Sequence, residues 1–141
     1  MYCLLLRRRP VYLLDNGLNE IPVQRYATPA NRKDRHHVFP RQVCSGLGIP
    51  YKLYNSVVNA CLLVAEENQR IGARRPARYF KKIQELRQFK WKMRRHLIPA
   101  DKASGIWVRS VRRGLRLFLE QRTRLICEAL ESEAGIRLFR R

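Results

Sequence analysis

The sequence predicts a helix-rich α+β fold, with a strand–loop–strand–helix (ββα) core at residues 34–73 and additional helices after it. Three observations predict it. Residues 34–40, D-R-H-H-V-F-P, form a short extended run that proline closes. A turn-rich stretch with Gly46, Gly48 and Pro50 leads to a second apolar run at 60–64, and Glu66 and Glu67 then suit a helical first turn. Beyond Pro76, apolar residues recur at helical spacing through two long segments. Residues 1–33 form a helical and loop lead-in, and 74–141 a basic helical part of the same domain.

Taken in order, residues 1–9 read as a short helical piece with an apolar patch of Tyr2, Leu4, Leu5 and Leu6, stopped by Pro10. A second apolar cluster (Val11, Tyr12, Leu13, Leu14) closes on the turn signal Asp15-Asn16-Gly17. Residues 18–33 read as loop, with a short strand at 21–23. The first core strand spans 35–39, and the loop after it continues through Tyr54 and Asn55. The second strand covers 60–64, and Asn68 sits on the helix that follows. Pro76 opens a helix at its favoured first position, and Tyr79, Phe80, Ile83, Leu86 and Lys90 or Met93 make one seam. Pro99 ends that element, and Gly105 separates it from a last helix at about 108–130. Val108, Val111, Leu115, Phe118, Leu119, Leu125, Ile126 and Ala129 form its apolar face, with Arg109, Arg112, Arg113 and Arg116 mostly off it. Gly135 stops the helix before a basic tail.

Thirty Lys and Arg against 11 Asp and Glu give a formal charge of +19. Such self-repulsion points to a polyanionic partner, nucleic acid first and an anionic membrane surface second. Most of these cations are arginines, whose planar fork suits phosphate, so nucleic acid is favoured. Arg74, Arg75, Arg78, Lys81, Lys82, Lys90, Lys92, Arg94 and Arg95 form the expected phosphate-tracking zone, with Trp91 among them. Arg7–Arg9 and Arg140–Arg141 read as solvated ends. Cys3, Cys44, Cys61 and Cys127 have neither metal-knuckle nor disulfide-framework spacing, and read as small apolar residues in a reducing, cytoplasmic setting. The apolar start is too short for a membrane span, and no membrane association is expected.

The chemistry-bearing residues cluster around the paired imidazoles. A histidine near its ordinary pKa of about 6.5 can accept a proton from water, and an Asn oxygen suits a hard divalent cation. Asp34 competes as a metal ligand but reads better as a strand-start residue. His96 reads as a capping or packing residue, and Glu66 and Glu67 as helix-start acids, with a contact to a metal ligand as the sharper alternative.

H-H-V-F-P, then N-A-C-L-L-V-A-E-E-N-Q-R-I-G, then R-P-A-R-Y-F resembles the HNH (His-Me finger) nuclease domain. In particular it is similar to the C-terminal nuclease domain of GmrSD-like restriction enzymes, which cut modified DNA. The likeness covers roughly residues 10–130, including H-L-I-P at 96–99 and F-L-E-Q-R-T-R-L-I at 118–126. The resemblance implies a ββα-metal core, Mg²⁺ or Mn²⁺ held by His36 and Asn68, and His37 as general base. It also implies that Asn59 braces loop and strand. Phe39 and Pro40 would be framework, with Gly72 and Pro76 forming the turn into the supporting helix. Asn68 stands where other HNH branches have His. The D-G-Q-Q-R motif of the nucleotide-hydrolysing domain that precedes the nuclease in those enzymes is missing.

The function expected from this is metal-dependent hydrolysis of phosphodiester bonds in DNA, as the nuclease part of a restriction or phage-defence system. Glucosylated and methylated cytosine are candidate targets. Residues 1–14 resemble the tail of a preceding helical region, so a docked partner chain carrying the NTPase-like domain, or self-association, is expected. A reading from another class is a catalytically inactive basic nucleic-acid-binding module or gene remnant. A third is a basic protein that binds RNA or anionic lipid.

Overall fold

A computed structural model describes residues 1–29 and 36–135. The fold is α+β and helix-rich, with a small two-stranded sheet. Helices α1 (Tyr2–Arg7) and α2 (Val23–Tyr26) precede strand β1 (His36–His37), and α3 (Arg41–Gly46) and α4 (Tyr51–Tyr54) follow it. A 3-10 turn, Val57–Asn59, leads into β2 (Ala60–Cys61). Helices α5 (Ala65–Ile71), α6 (Pro76–Gln84) and α7 (Phe89–Arg95) come next. A second 3-10 turn, Gly105–Trp107, precedes the long α8 (Val111–Ala134).

β1 and β2 pair antiparallel, with His36 opposite Cys61 and His37 opposite Ala60. Both strands are shorter than the 35–39 and 60–64 runs. Pro40 lacks an N–H and begins a new helix, so the ladder closes with Val38 N donating to Asn59 O at 2.8 Å. The expected long loop is partly helical: α3 and α4 each start directly after a proline, Pro40 and Pro50. The expected strand at 21–23 is absent. Glu20 instead makes a single bridge to Val11, and Pro22 leads into α2.

The seam predicted as one element from Tyr79 to Met93 is two helices. Gln88 adopts a left-handed φ of 59°, which an α-helix cannot include, and α7 restarts after it. Helix α7 then ends in a Schellman arrangement. Ile98 N donates to Met93 O at 2.9 Å and Leu97 N to Arg94 O at 3.1 Å, with Leu97 at φ 51° where glycine is usual.

The main core joins Phe39, Phe80, Ile106, Leu115 and Phe118, and the Phe39 and Phe118 rings lie 5.3 Å apart. Its tightest seam is backbone on backbone. A methyl on Gly114 would sit 2.7 Å from Gly105 O, and one on Gly105 would collide with Gly114 O and the Phe118 backbone. Helix α8 begins at Val111, three residues later than the apolar pattern suggests, because Ser110 caps it through Arg113 N.

The apolar start is not left uncovered. Leu4 and Leu5 pack against Leu97, Ile126 and Ala129, and Leu13 enters the main core. Each such leucine contributes roughly 1.5–3 kcal/mol on burial. Tyr2, Leu6, Tyr12 and Leu14 of the same stretch are half-buried. Polar anchors act alongside this packing. Lys92 Nζ donates to Tyr12 O and Asp15 O, His96 Nε2 bonds Val11 O at 2.8 Å, and Arg95 Nε donates to Arg9 O at 2.9 Å. Among the described residues, no helix is long and apolar enough to cross a membrane.

Candidate functional site

The short ladder sets the site. β1 presents His36 and His37 in succession, and α5, entered directly from β2, carries Asn68. His36 is buried, and its Nδ1 lies 2.5 Å from Asn68 Oδ1, the amide oxygen accepting. Burial pushes the His36 pKa down to about 4 against the opposing hydrogen bond, so the imidazole is neutral at working pH. The edge of the His36 ring also meets Tyr79, with centroids 6.3 Å apart, and Tyr79 Oη donates to Val38 O at 2.7 Å. His36, His37 and Asn68 line a shallow cleft of about 250 Å³, together with Pro40, Arg41 and Gly72.

Asn59 is fully buried and does not line the cleft. Its Oδ1 accepts from Phe39 N at 2.9 Å, and its Nδ2 donates to Phe39 O at 3.0 Å and Tyr54 O at 2.7 Å. One side chain therefore ties the exit of β1 to the end of α4. Gly72 ends α5 at φ 57° and ψ −150°, a region essentially reserved for glycine, and turns the chain toward Pro76.

Arg122, which sequence reasoning passed over, supports this bracket from behind. It is fully buried on α8, and its guanidinium donates to Val58 O, Ala60 O, His96 O and Leu97 O at 2.7–3.0 Å. Val58 and Ala60 flank Asn59. Burial without a carboxylate partner lowers its pKa to about 10, so it remains charged at neutral pH. Its signal was present in the sequence. It sits four residues from both Phe118 and Ile126, on the apolar face of the helix.

Glu67 is also buried, rather than being only a helix-start acid. Its Oε1 accepts from Leu14 N at 2.6 Å, while burial raises its pKa to about 7. Glu66 is the exposed acid of the pair and bridges Arg25 at 2.8 Å. His96 is buried as a packing and capping residue, held to Val11 O.

The predicted phosphate-tracking zone divides. Arg74, Arg75, Arg78, Lys81, Lys82, Lys90 and Arg94 are exposed. Lys92 is a correction: it is fully buried, its ammonium spent on the carbonyls of residues 12 and 15. Arg95 is committed to Glu20 at 2.7 Å, and its guanidinium lies over the Trp91 ring, 5.3 Å from the centroid. Asp34, Arg35, Arg140 and Arg141 lie outside the described residues. Cys44 and Cys61 are buried, whereas Cys3 is exposed.

The donor set bears on the metal. A cation would displace the proton of that contact: with the imidazole proton moved to Nε2, His36 Nδ1 and Asn68 Oδ1 would offer a neutral nitrogen–oxygen pair compatible with Mn²⁺ or Mg²⁺. Among the described residues no group of three His, Cys, Asp or Glu could hold a metal ion. A cation here would thus take its remaining ligands from water and phosphate, the usual habit of Mg²⁺. Comparison with family models, curated proteins and solved structures returns no match to this chain.

Proposed function

We propose that this chain is a metal-dependent DNA endonuclease of the ββα-metal type. The observation that carries the reading is the His36–Asn68 contact in the lining of a cleft that His37 also lines. His36 and Asn68 would hold Mg²⁺ or Mn²⁺, which supplies charge neutralisation at the scissile phosphate when bound. His37 accepts a proton from water as the water oxygen attacks phosphorus. The bond to the leaving sugar oxygen breaks, and solvent protonates that oxygen. Asn59 acts as a positioning residue through the backbone of Phe39, two residues beyond His37. The exposed cations on and before α6 hold the phosphate backbone, and the formal charge of +19 supports a polyanionic substrate.

The test is cleavage of plasmid DNA by the full chain with Mg²⁺ or Mn²⁺, beside His37→Ala, on unmodified DNA and on DNA carrying methylated or glucosylated cytosine. Nicking by wild type and its loss in the variant, with DNA affinity retained, is the expected result. Equal inertness of both proteins, with both still retarding the plasmid in a gel, overturns the nuclease reading and leaves a basic nucleic-acid-binding module.

A further inference from the structure

A second, larger cavity of about 490 Å³ lies on the other side of the segment that carries Asn68. The chain from 68 to 74 divides its residues between the two. Asn68, Gly72 and Ala73 face the histidine cleft, whereas Gln69, Arg70, Ile71 and Arg74 line the larger cavity. Tyr79 joins them, lining the cavity while its ring meets the edge of His36.

The lining is of two kinds. Leu14, Ile83 and Leu86 supply an apolar floor, and Arg70, Arg74 and Lys82 stand exposed around it with no carboxylate in the lining. Arg74 Nη1 donates to Arg70 O, which fixes the direction of its guanidinium. A flat apolar body bearing a phosphate satisfies both parts, and the volume suits one such unit. Apolar surface takes the face of a base, and the cations take the phosphate.

We infer that this cavity binds a single nucleotide unit of the strand being cut, next to the scissile bond. The placement rests on the endonuclease reading, but binding is measured without cleavage, so either can fail alone. The experiment is calorimetric titration of the full chain in EDTA with a deoxynucleoside 5′-monophosphate, inorganic phosphate and the deoxynucleoside. Wild type is compared with Lys82→Glu and Gln69→Trp, two exposed positions, and with His37→Ala. The monophosphate is expected to bind at least tenfold more tightly than either part alone. Both cavity variants are expected to lose at least tenfold in affinity, and His37→Ala none. A monophosphate no tighter than phosphate, or undiminished affinity in both cavity variants, overturns the inference. A second arm compares a duplex carrying one unpaired nucleotide with its fully paired counterpart. Tighter binding of the first, abolished by Gln69→Trp, is expected. Mononucleotide binding without that preference assigns the cavity to free nucleotides and overturns its placement on the strand.

Discussion

Replacing Arg122 with Met tests how the site is held. The substitution keeps most of the aliphatic volume and removes five N–H donors. Four carbonyls then lose a charged donor, those of Ala60, His96 and Leu97 in buried contacts and that of Val58 in a part-buried one. Exchanging a buried ion pair for apolar residues is often harmless, because both charged partners leave together. Here the partners are backbone and stay behind. Leaving a buried acceptor unsatisfied costs roughly 1–3 kcal/mol each, and recovery of the guanidinium's own desolvation offsets part of that. The net expectation is a loss of about 3–5 kcal/mol, a large share of the roughly 5–15 kcal/mol that holds a domain together. Arg122→Lys should recover only part, since an ammonium lacks the planar fork that reaches two separate strands of chain. Urea unfolding followed by Trp91 and Trp107 fluorescence measures it, with a lowered midpoint at unchanged slope. A Met variant within about 1 kcal/mol of wild type would refute the view that these carbonyls depend on Arg122.

Three other outcomes are expected. Asn59→Asp replaces a donor to Phe39 O and Tyr54 O with an acceptor, and should cost about 2–4 kcal/mol by urea unfolding at pH 7; a stability equal to wild type would rule out the bracket. Glu67 has a folded-state pKa raised from 4.5 to about 7, so its contribution is fully present below about pH 4.5 and is lost as pH rises through 7. Wild type should therefore lose up to about 3 kcal/mol relative to Glu67→Gln between pH 4.5 and 8, and parallel pH profiles for the two proteins would contradict this. Gly105→Ala forces the second 3-10 turn away from α8 and should lower the thermal midpoint by more than about 10 °C, whereas Gly46→Ala, with open space around it, should change it little.

What the sequence discloses and what it hides divide along a physical line. Local signals were legible: Pro76 opens α6 and Gly135 closes α8. His36 and Asn68 were put together only by the resemblance to the HNH domain, and their side chains do lie 2.5 Å apart. Hidden were the features decided by long-range contact. Nothing beside Gln88 announces a left-handed residue, so one seam was read where two helices stand. Lys92 and Arg122 were read as surface or overlooked because isolated cations are rarely buried without acids. Both are satisfied by carbonyls distant in sequence, and backbone groups leave no trace in a side-chain pattern.

The anchoring of the lead-in has a consequence for how this chain tolerates change. Lys92, Arg95 and His96 grip residues 9–15 through carbonyl oxygens, a group every amino acid carries. Side chains in the gripped segment can therefore be exchanged wherever they neither enter the core nor face the gripping cations, as at Tyr12, without loosening the clasp. The gripping residues have no such freedom, since each must place a donor at one point. A saturation scan should find permissive positions on one side of this contact and near-invariant ones on the other, an asymmetry that equal burial would not predict.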